Sequence, residues 1–193
     1  MKSKLPTIIS QAQKGSLLMI LVGESGAGKS TFCDFLNRPE EYYCSSKAIE
    51  KEIVKMGQSI NHDTIHAYAN QAYVKNPEWQ VPSILRSMTG RRYLILDGPR
   101  RLAEVKALKR DHSNTLIIRL IASEKERYKR LQIRDGIDAE DFKRVIYDES
   151  IETELGQILA MADCNIDNSG NIEDFRQKAL EVQSLLDNLE EII

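Results

Sequence analysis

Apolar residues along the chain fall in short runs, separated by polar stretches with helical spacing. Residues 17–22 (LLMILV) are six apolar positions in succession, bounded by Gly15-Ser16 and Gly23. So short a run, apolar at odd and even positions alike, predicts a strand buried on both faces. Residues 93–96 (YLIL), ended by Asp97-Gly98, and residues 115–121 (TLIIRLI) predict two more strands. Residues 164–167 (CNID) are a weaker fourth, and residues 42–45 suggest a fifth. Between the runs, Phe32, Phe35 and Leu36, then Leu102, Val105 and Leu108, recur at helical intervals. Ser123 with Glu126, and Asn171 with Asp174, have capping-box spacing at two helix starts. The last helix carries Phe175, Ala179, Val182, Leu186 and Leu189 on one face. Strand–helix alternation predicts an α/β fold with a mainly parallel sheet, whose ligands bind at the carboxyl ends of the strands.

Residues 38–90 break this rhythm. They are polar and mostly helical, interrupted by Pro39, Pro77 and Pro82, and fall between the first two confident strands.

The stretch GESGAGKST follows directly on the first strand. Gly23, four residues, then Gly28-Lys29-Ser30 is a phosphate-binding loop pattern. Glycines let the backbone turn so that amides converge on phosphate oxygens, and the following helix adds its positive end. The predicted nucleotide contacts are Gly23, Ser25, Gly26, Ala27, Gly28, Lys29, Ser30 and Thr31. Lys29 would reach the β- and γ-phosphates, and the Ser30 hydroxyl would bind Mg²⁺. Such a loop identifies a nucleotide and leaves the reaction open.

Two further constellations add charge. In YLILDGPRR, Asp97 stands at a strand end, where a carboxylate can hold Mg²⁺, and Arg100 and Arg101 follow a Gly-Pro turn. In SEKERYKRLQIRD, Arg127, Arg130 and Arg134 share one helical face. That face is either solvated and relieved by Glu124 and Glu126, or it clamps a triphosphate.

Composition narrows the class. The 193 residues suit one domain, 41% hydrophobic and 29% charged. A net charge of −2, from 27 basic and 29 acidic side chains, argues against a broad nucleic-acid surface or a basic membrane patch. The three cysteines match no zinc or redox spacing and are expected to be free thiols. No stretch has the pattern of a signal peptide or a membrane span, so a cytoplasmic protein is expected.

Phosphate loop, strand–Asp-Gly-Pro-Arg and an Arg-x-x-x-Arg helix, in that order, resemble the nucleoside monophosphate kinase group of P-loop proteins. Adenylate kinase has a similar Asp-Gly-x-Pro-Arg. MADCNIDNSGNIEDF and DGPRRLAEV look closer to dephospho-CoA kinase and phage-type deoxynucleoside monophosphate kinases. The resemblance implies a three-layer P-loop fold, Mg²⁺-ATP as donor and a small phosphate-bearing acceptor, most simply a nucleoside monophosphate. It implies that residues 38–90 are the acceptor-binding insertion and 135–147 a short lid. Arg100 would hold the acceptor phosphate, Arg130 and Arg134 would contact ATP, and Asn168 and Gly170 would lie beside the adenine. The Asp97–Arg100 spacing is one residue shorter than in adenylate kinase, and the lid has no zinc-type cysteines.

Within the insertion, Tyr68, Tyr73 and Trp79 either stack a base or pack together, and Arg86 could reach a phosphate. His62 and His66 have metal-binding spacing but no third ligand nearby. Other readings are a dephospho-CoA or polynucleotide-end kinase and a non-catalytic ATP-binding module. A GTPase would need an Asn-Lys-x-Asp, which the chain lacks.

Overall fold

The computed structural model describes residues 16–151 and 154–190. Five strands form one parallel sheet: β1 (Leu17–Val22), β2 (Tyr42–Cys44), β3 (Tyr93–Asp97), β4 (Thr115–Ile121) and β5 (Cys164–Asp167), in the spatial order β2-β3-β1-β4-β5. The helices are α1 (Lys29–Leu36), α2 (Ser45–Lys55), α3 (His62–Lys75), α4 (Val81–Ser87), α5 (Leu102–Asp111), α6 (Glu124–Asp135), α7 (Ala139–Ile151), α8 (Leu155–Ala160) and α9 (Ile172–Glu190).

The continuous apolar run of β1 reflects its central place. Leu17, Met19 and Leu21 point into one core layer, with Phe32, Leu36, Phe175, Ala179, Val182 and Leu186. Leu18, Ile20 and Val22 point into the other, with Ile84, Val105, Leu108 and Ile158. Period-2 side chains thus bury both faces and make the predicted three-layer α/β fold. Each such side chain contributes about 1.5–3 kcal/mol on leaving water. Phe175 joins α9 to α1, its ring 5.6 Å from Phe32 and 6.1 Å from Phe35.

Register brings the chemistry to one edge. Leu21 pairs with Asp97, Asp97 with Cys44, and Val22 with Arg119, so the carboxyl ends of β1, β2 and β3 lie side by side. The span 38–90 divides in two. Tyr42–Cys44 completes the sheet as an edge strand, and Val81, Ile84 and Met88 enter the core. Helices α2 and α3 are the part that projects over the site, and α3 starts with a full Asn61–Thr64 capping box. Residues 139–147 of the predicted lid are helical, part of α7, with Phe142 buried against the Tyr128 ring at 5.2 Å. The Ser123 side chain accepts the Glu126 amide, and Asn171 accepts that of Asp174, as their spacing predicts.

Candidate functional site

The loop between β1 and α1 is held from behind through its carbonyls. Arg127 Nε donates to Ser25 O at 2.8 Å, Arg130 to Gly26 O at 3.2 Å, and Asn168 Nδ2 to Ala27 O at 2.9 Å. Glycine is required at two places. Gly26 has φ +81°, and a Cβ there would stand 2.8 Å from Arg127 O. Gly28 has φ +101°, and a Cβ would stand 2.3 Å from Asn168 Nδ2. Its missing side chain is the space through which Asn168 reaches the loop. Helix α1 begins without a side-chain cap or an acidic residue in its first turn, which leaves its positive end suited to an anion.

In front of the loop lies a cavity of about 900 Å³, lined by Ser25, Gly26, Gly28, Lys29, Ser30, Thr31, Asp97, Arg100, Arg130 and Arg134, among others. Its size lies in the range of nucleotide-sized ligand sites. Lys29 Nζ donates to Gly23 O at 2.6 Å. Burial pulls the Lys29 pKa below its usual value, while the neighbouring Asp97 carboxylate opposes that shift. Asp97 accepts the Tyr42 hydroxyl on Oδ2 at 2.6 Å, whereas its buried Oδ1 has no partner among the described groups. Burial and that carboxylate hold the Tyr42 hydroxyl firmly protonated.

A second cavity of about 340 Å³ lies under α2, α3, α6 and α7. Ile49, Ile65, Ala69, Leu131, Ile137 and Val145 make its apolar wall. Arg100, Arg101, Arg134, Asn70, His66 and Glu149 supply the polar groups. The two cavities share Ser25, Ser46, Gly98, Arg100, Leu131 and Arg134.

The three arginines of α6 separate on folding. Arg127 is buried and paired with Glu149 at 3.2 Å. Arg130 bonds the loop and Asn168 O at 2.7 Å. Arg134 is open to solvent, paired with Asp135 at 2.6 Å. Asn168 and Gly170 line neither of these two cavities, and the Asn168 amide donates to the loop at Ala27 O. Arg86 also lines neither, because α4 turns its Val81 and Ile84 into the core below the sheet edge.

The aromatics of the insertion pack on one another. Trp79 lies 5.9 Å from Tyr68 and 6.0 Å from Tyr73, and Arg101 covers the Tyr73 ring at 5.1 Å. His66 lines the smaller cavity, and the His62 side chain lies outside the described groups. Among the described residues no cluster suited to a metal ion forms from three His, Cys, Asp or Glu, and no helix is long and apolar enough to cross a membrane. Cys33, Cys44 and Cys164 are free thiols.

Sequence patterns give no hint of Tyr42 and Glu149, and Glu104 enters only as the glutamate of DGPRRLAEV. Glu104 is fully buried beneath Tyr73, whose hydroxyl donates to it at 3.3 Å. Burial raises its carboxyl from the ordinary 4.5 to about 7, against the Tyr73 hydrogen bond and Arg101, which lower it. The folded chain therefore binds this proton more tightly than the unfolded chain, and stability falls as pH rises through that window. Glu104→Gln keeps an acceptor for Tyr73 and removes the buried charge. It is expected to add up to about 3 kcal/mol of stability near pH 8 and little near pH 5. Urea unfolding at both pH values checks this, and an equal difference at the two defeats it.

No protein-family model matches the chain. It is 26% identical over 190 residues to a dephospho-CoA kinase of Corynebacterium efficiens, covering 82% of this chain and 92% of that protein. It is 26% identical over 174 residues to a UPF0200 protein of Aeropyrum pernix, covering 87% and 92%. Among solved structures, a shikimate kinase from Bacteroides thetaiotaomicron superposes with a TM-score of 0.55 at 13% identity, over 89% of this chain and 98% of that one. The fold is that of the P-loop kinases. By sequence the chain is similar to a dephospho-CoA kinase, and its fold is shared with shikimate and dephospho-CoA kinases.

Proposed function

We propose that the protein is a cytoplasmic phosphotransferase that moves the γ-phosphoryl group of ATP to a small phosphate-bearing acceptor. One observation carries this reading: a phosphate-loop cavity and a smaller, largely apolar cavity meet at Ser25, Arg100 and Arg134. Donor and acceptor can then lie on either side of a common basic mouth, which is what in-line transfer requires. ATP would lie in the larger cavity, its phosphates against Gly26–Thr31. Arg100 and Arg101 would hold the acceptor's anionic end, and the aliphatic wall its body. Arg134, paired among the described residues with an exposed Asp135, can turn inward as α7 closes and excludes water.

Mg²⁺ suits the larger cavity, because the Asp97 carboxylate, whose buried Oδ1 has no described partner, and the Ser30 hydroxyl are hard oxygen ligands on residues lining it. Bound there, it would neutralise phosphate charge.

The acceptor is a nucleoside monophosphate on the motif reading. Dephospho-CoA is the second reading, supported by the likeness to the Corynebacterium efficiens enzyme. Turnover of Mg²⁺-ATP to ADP, measured against each ribo- and deoxyribonucleoside monophosphate, dephospho-CoA and a 5′-hydroxyl oligonucleotide, is the test. One acceptor is expected to raise turnover far above background. ATP binding with no acceptor-dependent turnover would sink the kinase reading in favour of a nucleotide-dependent binding module.

A further inference from the structure

Glu149 lies on α7, 124 residues from Ser25, yet its carboxylate reaches the phosphate loop. Oε1 accepts the Ser25 amide at 2.8 Å and the Ser25 hydroxyl at 2.7 Å. The same oxygen faces the Arg100 guanidinium at 3.5 Å. Oε2 accepts from Arg127 at 3.2 Å, and Arg127 Nε in turn donates to Ser25 O at 2.8 Å. Ser25, Glu149 and Arg127 thus close a ring in which every polar group of Ser25 is engaged.

The ring is dry. Glu149 is 5% exposed and Arg127 7%. A buried carboxylate between two guanidinium groups and two loop donors is held in one position, because each alternative leaves a desolvated charge unpaired. Its place relative to the cavities gives it consequence. Ser25 and Arg100 line both cavities, whereas Glu149 and Arg101 line only the smaller.

We propose that Glu149 is a positioning residue: it fixes Ser25 on the phosphate loop and Arg100 at the shared mouth in a single arrangement, so that α7 aligns the acceptor cavity with the loop. The carboxylate itself takes no part in bond making. Because α7 carries residues 139–147 of the predicted lid and Glu149 two residues beyond them, movement of that helix and alignment of the loop become one event. The kinetic consequence rests on the phosphotransfer reading above, whereas the structural consequence does not.

The experiment is Glu149→Gln, which preserves shape and one acceptor oxygen but removes the charge shared by Arg127 and Arg100. Three quantities are read on the full chain: Mg²⁺-ATP affinity by calorimetry, steady-state kinetics with whichever acceptor of the panel the parent uses, and hydrogen exchange of the Ser25 amide. The expected result is ATP affinity within about threefold of the parent, acceptor KM raised about tenfold, and kcat lowered by a similar factor. The Ser25 amide is expected to exchange at least about tenfold faster while the rest of α7 keeps its protection. Parallel loss of ATP affinity and turnover overturns the proposal, since it marks general damage to the loop. So does an unchanged Ser25 amide. If the parent uses no acceptor at all, the phosphotransfer reading fails by itself and the exchange measurement alone decides on Glu149. Should Glu149→Gln unfold, Glu149→Asp, which retains the charge but shortens its reach to Ser25, is judged by the same three readings.

Discussion

Lys29→Ala is expected to lower acceptor-dependent turnover by at least about 10²-fold while the fold survives. The half-buried Lys29 side chain lies beside the Asp97 carboxylate at the end of β3, its ammonium donating to Gly23 O at 2.6 Å and weakly to Glu24 O at 3.4 Å. Both partners are loop carbonyls that accept it without a phosphate nearby. A triphosphate in front of the loop offers better acceptors, so the ammonium is poised to exchange neutral oxygens for charged ones. Charge-assisted contacts of this kind act most strongly where charge develops in transfer. The structural cost is small by comparison, because truncation also ends the burial of a charge that desolvation already disfavours. Initial rates paired with a thermal melt make the measurement. Turnover within a few-fold of the parent would remove Lys29 from the mechanism, and an unfolded variant would assign it to the loop's stability.

How much of this was readable from the chain depends on how local the cause is. β1 announces itself because all six of its side chains are buried, and the glycine loop because its backbone demands particular residues. β2 and β5 are edge strands. In β5 only Ile166 is buried and Asn165 and Asp167 face outward, so little apolar pattern remains to read. The arginines of α6 show where spacing stops being informative. Periodicity places Arg127, Arg130 and Arg134 on one face, yet α6 runs outward from the loop. The Arg127 side chain is 9% exposed, and that of Arg134 is 65% exposed. One is a strut beneath Ser25, and the other is available at the mouth. The sequence offers Asn168 as a neighbour of the adenine, whereas its hydrogen bond to the loop depends on the missing Cβ of Gly28. Glu149 carries no local signal at all, since its meaning lies in a partner 124 residues away.

Asp97→Asn separates function from stability more sharply than any other substitution here. Its carboxylate is 6% exposed at the end of β3, with Oδ2 accepting from Tyr42 and Oδ1 without a described partner. A buried anion half satisfied in this way costs the folded state free energy. The amide is nearly isosteric, still accepts the Tyr42 hydroxyl through its oxygen, and carries no charge to desolvate. The variant should therefore melt no lower than the parent. Turnover should nonetheless fall by at least about 10²-fold, because the proposed metal-facing oxygen and the anion opposing the Lys29 ammonium are lost together. A rise in the Mg²⁺ concentration needed for half-maximal rate, at saturating ATP, would tie the loss to the metal-facing oxygen and not to Lys29. A variant that loses stability and keeps its rate would show Asp97 to be a structural carboxylate whose open oxygen has no ligand to hold. Stability retained at the expense of rate is the pattern of a strained group kept for chemistry.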